Sequence, residues 1–491
     1  MKDRRMKQRR IRAGLALVAL AATSACGNRV GDERIAAASY LDGTETEVVA
    51  GSGGTAPGGA APGGPDTATD AGATAAGSVA TGTGSGGGTG GGATGGSGGG
   101  TVGGATTTTV AGGGAAPAAG AAAGPATGSE VSIGVLGTFT GPVGVYVQDF
   151  ATGVQVWGRW VNDNGGLNGH RVRVVVGDDG GSPAGFNSRA QQMVEQEGVI
   201  AMAFTTLGLA PGGNNAYLDS VGVPTFGTEG GGNNPYENPN VLTAVPSGDL
   251  YAQAMMYGYD RAAPDVERLA ILSCSDFGIC DNFDREWSSP AMEQATGIHI
   301  VYRARPSLTT PDFTSICIDA RDAGAQGILN GLDTASINRL ADACARQGYF
   351  PVIGLADLLG RPELARNPNA DGAIVGTRNA AWFDGRAPGI AVMQDAFARY
   401  APGVELNGTL AGGWLAAQFL RAAAVNLPAD NPTAADLVAG LADLDGTDLG
   451  GMTYPLQFTP GQPSPRRVCF SAAVVSGGTF VPGPGDPLSC A

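Results

Sequence analysis

The chain has no lysine after Lys7 and only two histidines, His170 and His299, in 491 residues. Without lysine, the remaining chain cannot use Schiff-base, Ser-Lys or phosphate-loop lysine chemistry. Residues 130–491 also contain neither a Gly-x-Ser-x-Gly elbow nor an HExxH motif, which are the common signatures of hydrolases. These absences argue against an enzyme, and an exported hydrolase is the least favoured function.

Positive charge is scarce as well, since 29 Lys and Arg face 44 Asp and Glu, for a net charge of -15. An acidic surface repels nucleic acids and anionic lipids, so no nucleic-acid partner is expected. The cysteines lack CxxC spacing, and His170 lies in a glycine-rich turn typical of surface residues. The sequence therefore predicts no metal site and no cofactor.

Seven cysteines are present, namely Cys26 and a later group of six. An even number of cysteines in an exported chain indicates disulfides, although six cysteines allow about fifteen pairings. Pairing in chain order is the simplest arrangement, because each bond then closes a local loop. It joins Cys274 to Cys280, Cys317 to Cys344, and Cys469 to Cys490.

The N-terminal part divides into a leader and a low-complexity segment. Residues 1–25 are basic, then apolar, and too short in their apolar run to cross a bilayer. Residues 22–26 resemble the lipobox of bacterial lipoproteins, with Thr23 where that family usually has leucine. The resemblance implies a signal peptide over 1–25 and acylation of Cys26. Simple secretion is the alternative.

Residues 26–129 follow as a tether, in which 30 of the 78 residues from Gly51 to Gly128 are glycine. Such a segment cannot bury enough apolar surface to fold and is expected to be disordered. With a lipid on Cys26 it would place the folded part on the outer face of the cytoplasmic membrane. A plain spacer and a glycosylated stalk are both compatible with its composition.

From residue 130 onward, apolar runs of strand length alternate with helical patterns, which predicts an α/β fold with doubly wound parallel sheets. The length of about 360 residues suits two such lobes. The predicted strands span residues 131–136, 171–176, 199–204, 223–226, 269–272, 299–302, 327–330, 352–354, 373–375, 454–458 and 467–475. The predicted helices include residues 281–294, 314–323, 334–347, 390–400, 410–426 and 434–444.

Three segments, at residues 133–146, 160–170 and 174–183, resemble the type I periplasmic solute-binding proteins of ABC transporters, in the branched-chain amino acid and amide group. A thinner likeness continues through residues 222–227 and 453–458 to the C-terminus. The resemblance implies two Rossmann-like lobes joined by three crossing strands, with a ligand between them. It places lobe 1 at residues 130–247 and 378–446, and lobe 2 at residues 248–377 and 447–491.

Ligands of doubly wound sheets bind beyond the carboxyl ends of the strands, which selects the loops after each strand. The candidate ligand-binding residues in these loops are Tyr146, Thr205, Thr206, Thr228, Glu229, Phe277, Asp333 and Asp357. Thr205 and Thr206 suit a carboxylate, and the two aspartates suit an ammonium group. Tyr146 offers a hydroxyl to the ligand, Phe277 can only pack on it, and Thr228 and Glu229 lie beside glycines that allow close approach to the backbone. Strand-end capping, flexible loops and an exposed tyrosine explain the same residues without a ligand.

The function that the resemblance implies is capture of a small polar solute, such as an amino acid or amide, for delivery to an ABC transporter permease. Relatives that bind amino acids often carry a glutamate near the position of Ala356, and this chain has none. The identity of the solute therefore stays open. A ligand sensor of the same fold that signals to a membrane receptor is the alternative.

Overall fold

A computed structural model describes residues 124–207 and 215–491. The predicted signal peptide, Cys26 and nearly all of the tether lie outside the described residues. Ordered packing begins before the predicted start at residue 130: Ala126 is buried, and its N–H donates to Asn162 O at 2.8 Å. Regular structure then starts at Gly128.

The first lobe is built on a three-stranded parallel sheet of order β2-β1-β3. Ile133 of the central strand pairs with Val174 on one side and Ala201 on the other. Its elements are, in chain order, β1 (Gly128–Gly137), α1 (Gly141–Asp163), β2 (His170–Asp178), α2 (Pro183–Glu195), β3 (Val199–Thr205), α3 (Ala216–Val221) and α4 (Asn234–Glu237).

The second lobe carries an eight-stranded sheet, whose first five strands run parallel. This part of the chain contains α5 (Gly248–Ala262), β4 (Arg268–Ser273), α6 (Gly278–Trp287), α7 (Pro290–Thr296), β5 (His299–Ala304), α8 (Thr314–Asp322), β6 (Gly327–Gly331), α9 (Thr334–Arg346), β7 (Val352–Ala356), α10 (Pro362–Ala365) and β8 (Ile374–Thr377).

The chain then returns to the first lobe before it completes the second sheet. The remaining elements are α11 (Pro388–Tyr400), α12 (Gly408–Ala423), α13 (Ala434–Ala439), β9 (Cys469–Ser476), β10 (Thr479–Pro482) and β11 (Ser489–Cys490). The strand order of the second sheet is β10-β9-β8-β7-β6-β4-β5, with β11 paired to β9. β9 joins β8 antiparallel, so the C-terminal segment closes one edge of this sheet.

Helices cover both faces of the first sheet, as a doubly wound fold requires. On one face, α1 packs against the sheet through Phe150, which stacks on Phe204 with ring centroids 4.0 Å apart. On the other face, Phe186 of α2 lies in a separate buried cluster. Helices α1 and α12 approach closely at two glycines. A Cβ on Gly153 or Gly413 would lie 2.3 or 2.1 Å from a backbone oxygen of the facing helix.

The chain crosses between the lobes near residues 245–248, 377–380 and 464–469. Hydrogen bonds join these crossings to neighbouring segments: Ala380 N donates to Met452 O at 3.0 Å, and Ser464 Oγ accepts from Thr243 N at 3.1 Å. The resemblance predicts three crossing strands, but among the described residues these crossings are irregular. A few hydrogen bonds, rather than a ladder, therefore hold them in place.

Two predicted strands are wrong. Residues 223–226 form only isolated bridges, Met202 with Thr225 and Thr225 with Val241, since Pro224 has no N–H with which to extend the pairing along β3. Residues 454–458 are irregular, since Leu456 N bonds back to Thr447 O at 2.8 Å in a turn. Phe458 there packs on Phe419 of α12 at 5.0 Å.

Several predicted helices end earlier than expected. The helix predicted over residues 281–294 is two helices, α6 and α7, because Pro290 begins a new helix capped by Ser289. The one predicted over 434–444 is short and continues as a 3₁₀ turn at Gly440–Asp443. The strands and helices predicted elsewhere agree with the structure within a few residues.

His170 is not the surface residue that its turn predicts. Its side chain is buried, and Nε2 lies 2.8 Å from Pro428 O while Nδ1 lies 2.9 Å from Ser129 Oγ. Nε2 must donate, because a carbonyl only accepts, and Nδ1 can accept from the hydroxyl. His170 therefore joins the beginning of β1 to the loop after α12.

The six cysteines pair as the chain order predicts, in the bonds Cys274–Cys280, Cys317–Cys344 and Cys469–Cys490. The first two lie in the segment between β4 and α9, and the third joins β9 to β11. All three are therefore attached to the second sheet. Among the helices of residues 124–207 and 215–491, none has both the length and the apolar character needed to cross a membrane.

Candidate functional site

In the first lobe, the loop after β1 is held by groups that follow the neighbouring strands. Thr138 Oγ1 donates to Asp179 Oδ1 at 2.8 Å, and Phe139 N donates to Asp178 Oδ1 at 2.9 Å. Burial raises the pKa of Asp179 against the lowering effect of its hydrogen bonds with Gly181 and Thr138. Side chains of the fold itself therefore hold this loop in place.

The two predicted threonines after β3 have different surroundings. Thr206 Oγ1 accepts a hydrogen bond from Thr138 N at 2.9 Å, so it helps to hold the loop after β1. Thr205 is also fully buried, but its hydroxyl has no hydrogen-bond partner among the described residues. A buried hydroxyl without a partner costs free energy, and Thr205 has the free hydroxyl that a ligand could use.

Thr228 lies next to Thr205, because the two residues form an isolated parallel bridge. Thr228 is buried, and its Oγ1 accepts from Gly230 N at 3.3 Å. Beside it is a cavity of about 20 Å³, lined also by Phe226, Ala244 and Arg378. This volume holds about one water molecule. The cavity is lined by first-lobe residues alone, so it is a small gap beside Thr228 and not a space for a solute of amino-acid size.

Arg378, which directly follows β8, places a buried guanidinium at the base of the cleft between the lobes. Arg378 Nε lies 3.3 Å from Asp357 Oδ2, and its charged group lies 4.2 Å from the Tyr251 ring centre. Tyr251 donates its phenolic hydrogen to the other oxygen of Asp357. The predicted ligand residue Asp357 is thus engaged by two residues of its own chain.

Glu229 also belongs to this buried network. Burial by itself would lower the pKa of Arg378, but Asp357, Tyr251 and Glu229 raise it above its usual value. Burial and Asp357 raise the pKa of Tyr251 well above its usual value. Arg378 therefore stays charged. Its positive charge offsets the negative charges of two predicted ligand residues, Glu229 and Asp357, which come from different lobes.

Two further predicted residues meet across the cleft. Burial, the charge of Asp333 and a hydrogen bond with Asp333 raise the pKa of Tyr146 to about 12, while Arg361 and Arg339 oppose this shift. Tyr146 lies on α1 of the first lobe, and Asp333 caps α9 of the second by accepting from Ser336 N at 2.6 Å. Phe277, half-buried at the start of α6, packs against the main buried core.

Charged and polar contacts hold the two lobes together at the cleft edge. Arg361 of the second lobe pairs with Asp149 of α1 at 3.0 Å and donates to Tyr146 O at 3.0 Å. Asn282 Nδ2 donates to Gly231 O at 3.1 Å on the opposite side. The described conformation is therefore closed.

The sequence did not identify Arg361, Arg378, Asp149, Tyr251 or Arg339. Arg378 directly follows β8, so the rule that selected Asp333 and Asp357 could have found it. Arg361 comes after a 3₁₀ turn, and Asp149 lies inside a long helix. Nothing in their local sequence indicates that they meet.

Two doubly wound sheets, three crossings and a cleft at the carboxyl ends of the strands define a two-lobed binding protein. The chain belongs to the periplasmic binding protein family, whose model matches residues 130–478. This family binds small solutes outside the cytoplasm. No significant match was found among curated proteins.

Solved structures share the fold at low identity. A fatty acid ABC transporter substrate-binding protein from Thermomonospora curvata is 17% identical, with a TM-score of 0.59, covering 73% of this chain and 93% of that one. A branched-chain amino acid ABC transporter protein from Thermus thermophilus with bound valine is 17% identical, with a TM-score of 0.58 and coverages of 72% and 96%.

A third neighbour is a solute-binding protein from R. palustris in complex with 4-hydroxybenzoate. It is 18% identical to this chain, with a TM-score of 0.57, and the match covers 72% of this chain and 95% of that one. The likeness to all three establishes the two-lobed fold over the part of the chain that follows the tether.

Proposed function

We propose that this chain is the extracytoplasmic substrate-binding component of an ABC transporter. It captures a small polar solute between its lobes and presents the closed form to the permease. The predicted contacts Tyr146, Thr205, Thr206, Thr228, Glu229, Phe277, Asp333 and Asp357 would surround the solute. Through Cys26 and the tether, the two lobes would be held at the outer face of the membrane.

The meeting of Tyr146 with Asp333, beside the ion pair of Arg361 with Asp149, carries this proposal. These contacts join the lobes at the strand ends where ligands of such folds bind, so they must part and reform as the cleft opens and closes.

The solute class is consistent with the neighbours, whose names mention a fatty acid, valine and 4-hydroxybenzoate. All three compounds carry a carboxyl group, although their remaining parts differ widely. The buried hydroxyl of Thr205 is a hydrogen-bond donor suited to such a group.

A thermal-shift screen of amino acids, amides, fatty acids and aromatic acids tests solute binding. A ligand at a hundredfold excess over its Kd stabilises the folded chain by about 2.7 kcal/mol. Failure of every compound to raise the Tm would contradict the proposal. Turnover of an ester or amide by the purified chain would favour the hydrolase instead.

Transport and anchoring need cellular measurements. Deletion of the chain should abolish uptake of the solute found in the screen. Unchanged uptake would instead favour a sensor. Cys26→Ser should release the chain from the membrane fraction, and retention of this variant would contradict the lipid anchor.

A further inference from the structure

Four arginines border the second-lobe side of the cleft or its floor: Arg305, Arg339, Arg361 and Arg378. Three of them form ion pairs, with Asp281, Asp149 and Asp357 respectively. Arg339 differs, because no carboxylate of residues 124–207 and 215–491 lies within ion-pair distance of it.

Contacts with neutral groups hold Arg339 in one orientation. Its Nη2 donates to Leu308 O at 2.9 Å and to Ser336 Oγ at 2.8 Å, and its guanidinium lies 5.9 Å from the Phe313 ring centre. Its Nε is buried without a hydrogen-bond partner among the described residues. The side chain is therefore pre-oriented, yet part of its donor capacity is unused.

Its place in the fold puts this charge beside the cleft. Arg339 lies in the second turn of α9, which follows β6, and Leu308 lies in the loop after β5. The beginning of α9 and the loop after β5 both lie at the carboxyl edge of the second sheet. Arg339 is also close enough to Tyr146 of the other lobe for its charge to lower the pKa of the phenol, against the larger effects of burial and Asp333.

A guanidinium that is partly removed from water and has no counterion is unfavourable by itself. A carboxylate matches its planar donors and can accept two hydrogen bonds from it. We propose that Arg339 is a specificity-determining residue that binds the carboxylate of the solute, so that this cleft selects carboxylic acids over their amides. The inference rests on the proposed function and adds a residue and a substrate class to it.

The test compares acids with their matched amides. Valine and valinamide, benzoate and benzamide, and octanoate and octanamide are titrated calorimetrically into the full chain and into Arg339→Gln. We expect at least one acid to bind the native chain more tightly than its amide, and Arg339→Gln to weaken that acid by about tenfold or more. The same variant should change the affinity for the amide by less than about threefold.

Arg346→Gln is the matched control, since Arg346 lies on the same helix in an exposed pair with Asp312 at 3.5 Å. It should bind acids like the native chain. Arg339→Lys keeps the charge but loses the planar donors, and its affinity should lie between those of the native chain and Arg339→Gln. If Arg339→Gln does not fold, the affinity of Arg339→Lys for the acid tests the proposal in its place.

The outcomes separate this inference from the proposed function. If an acid binds the native chain, Arg339→Gln and Arg339→Lys equally, or if amides bind better than acids, the role of Arg339 is wrong and solute binding stands. If no compound of the panel binds the native chain, both the role of Arg339 and the proposed function are contradicted.

Discussion

The two lobes present different chemistry at the same cleft. The first lobe offers hydroxyls, backbone groups and carboxylates, as in Thr205, the loop held by Thr138, and Asp149, and no disulfide lies within its described residues. The second lobe offers the guanidinium groups of Arg339 and Arg361, and carries all three disulfides.

This difference suggests that the two lobes contribute differently to solute binding. Disulfides near β4, α9 and β9 tie segments of the second lobe to one another, including α9, which carries Arg339. Hydroxyls tolerate small displacements, so a non-covalently held lobe suffices for them. We infer that the second lobe is the more rigid part and sets the charge of the solute.

The largest expected effect comes from the buried network of the second lobe. Arg378→Met removes the buried ion-pair partner of Asp357, so the free energy of unfolding should fall by about 3–5 kcal/mol. Arg321→Met is the matched control, because its pair with Asp322 is exposed and should contribute about 0–1 kcal/mol. Denaturant unfolding measures both. Equal stability of the two variants would show that the buried pair of Arg378 contributes no more to stability than the exposed pair of Arg321.

The disulfides should contribute according to the loops they close. Replacing Cys317 and Cys344 by alanine opens a sequence separation of 27 residues and should cost about 3–4 kcal/mol. The same replacement at Cys274 and Cys280 opens a separation of 6 residues and should cost about 2 kcal/mol. Thermal unfolding checks the order. A larger loss for the shorter loop would show that local packing, rather than chain entropy, dominates.

The smallest effects concern the hydroxyls of the first lobe. Thr206→Val leaves the Thr138 N–H without its acceptor and should lower the free energy of unfolding by about 1–2 kcal/mol. Thr205→Val removes a hydroxyl with no described partner, so stability should change by less than about 0.5 kcal/mol. Solute affinity should nevertheless fall in Thr205→Val. Strong destabilisation in Thr205→Val would mean that its hydroxyl already serves the fold.

Periodicity was sufficient to predict most of the fold from the sequence. Helices such as α9 carry a regular apolar stripe, and strands such as β1 are continuous apolar runs, so both follow from local pattern. Residues 223–226 look like a strand, but they form only isolated bridges, because Pro224 cannot donate a backbone hydrogen bond.

The site was harder to predict, because its contacts join distant parts of the chain. Asp333 and Tyr146 were selected individually from their positions after strands. The pairing of Arg361 with Asp149 and of Arg378 with Asp357 depends on how the lobes close, which no local pattern encodes. The charge balance of the cleft, and hence the distinct position of Arg339, depends on these long-range pairs and does not follow from the local sequence.

If solute binds between lobes that open and close, the distance between the lobes must change on binding. Spin labels at Val221 of the first lobe and Phe350 of the second, both exposed, allow the interlobe distance distribution to be measured with and without the solute from the screen. Arg361→Met, which loses the pair with Asp149, should broaden this distribution toward longer distances, and solute should restore the short distance. The same distribution with and without solute, in the native chain and in Arg361→Met, would contradict the account.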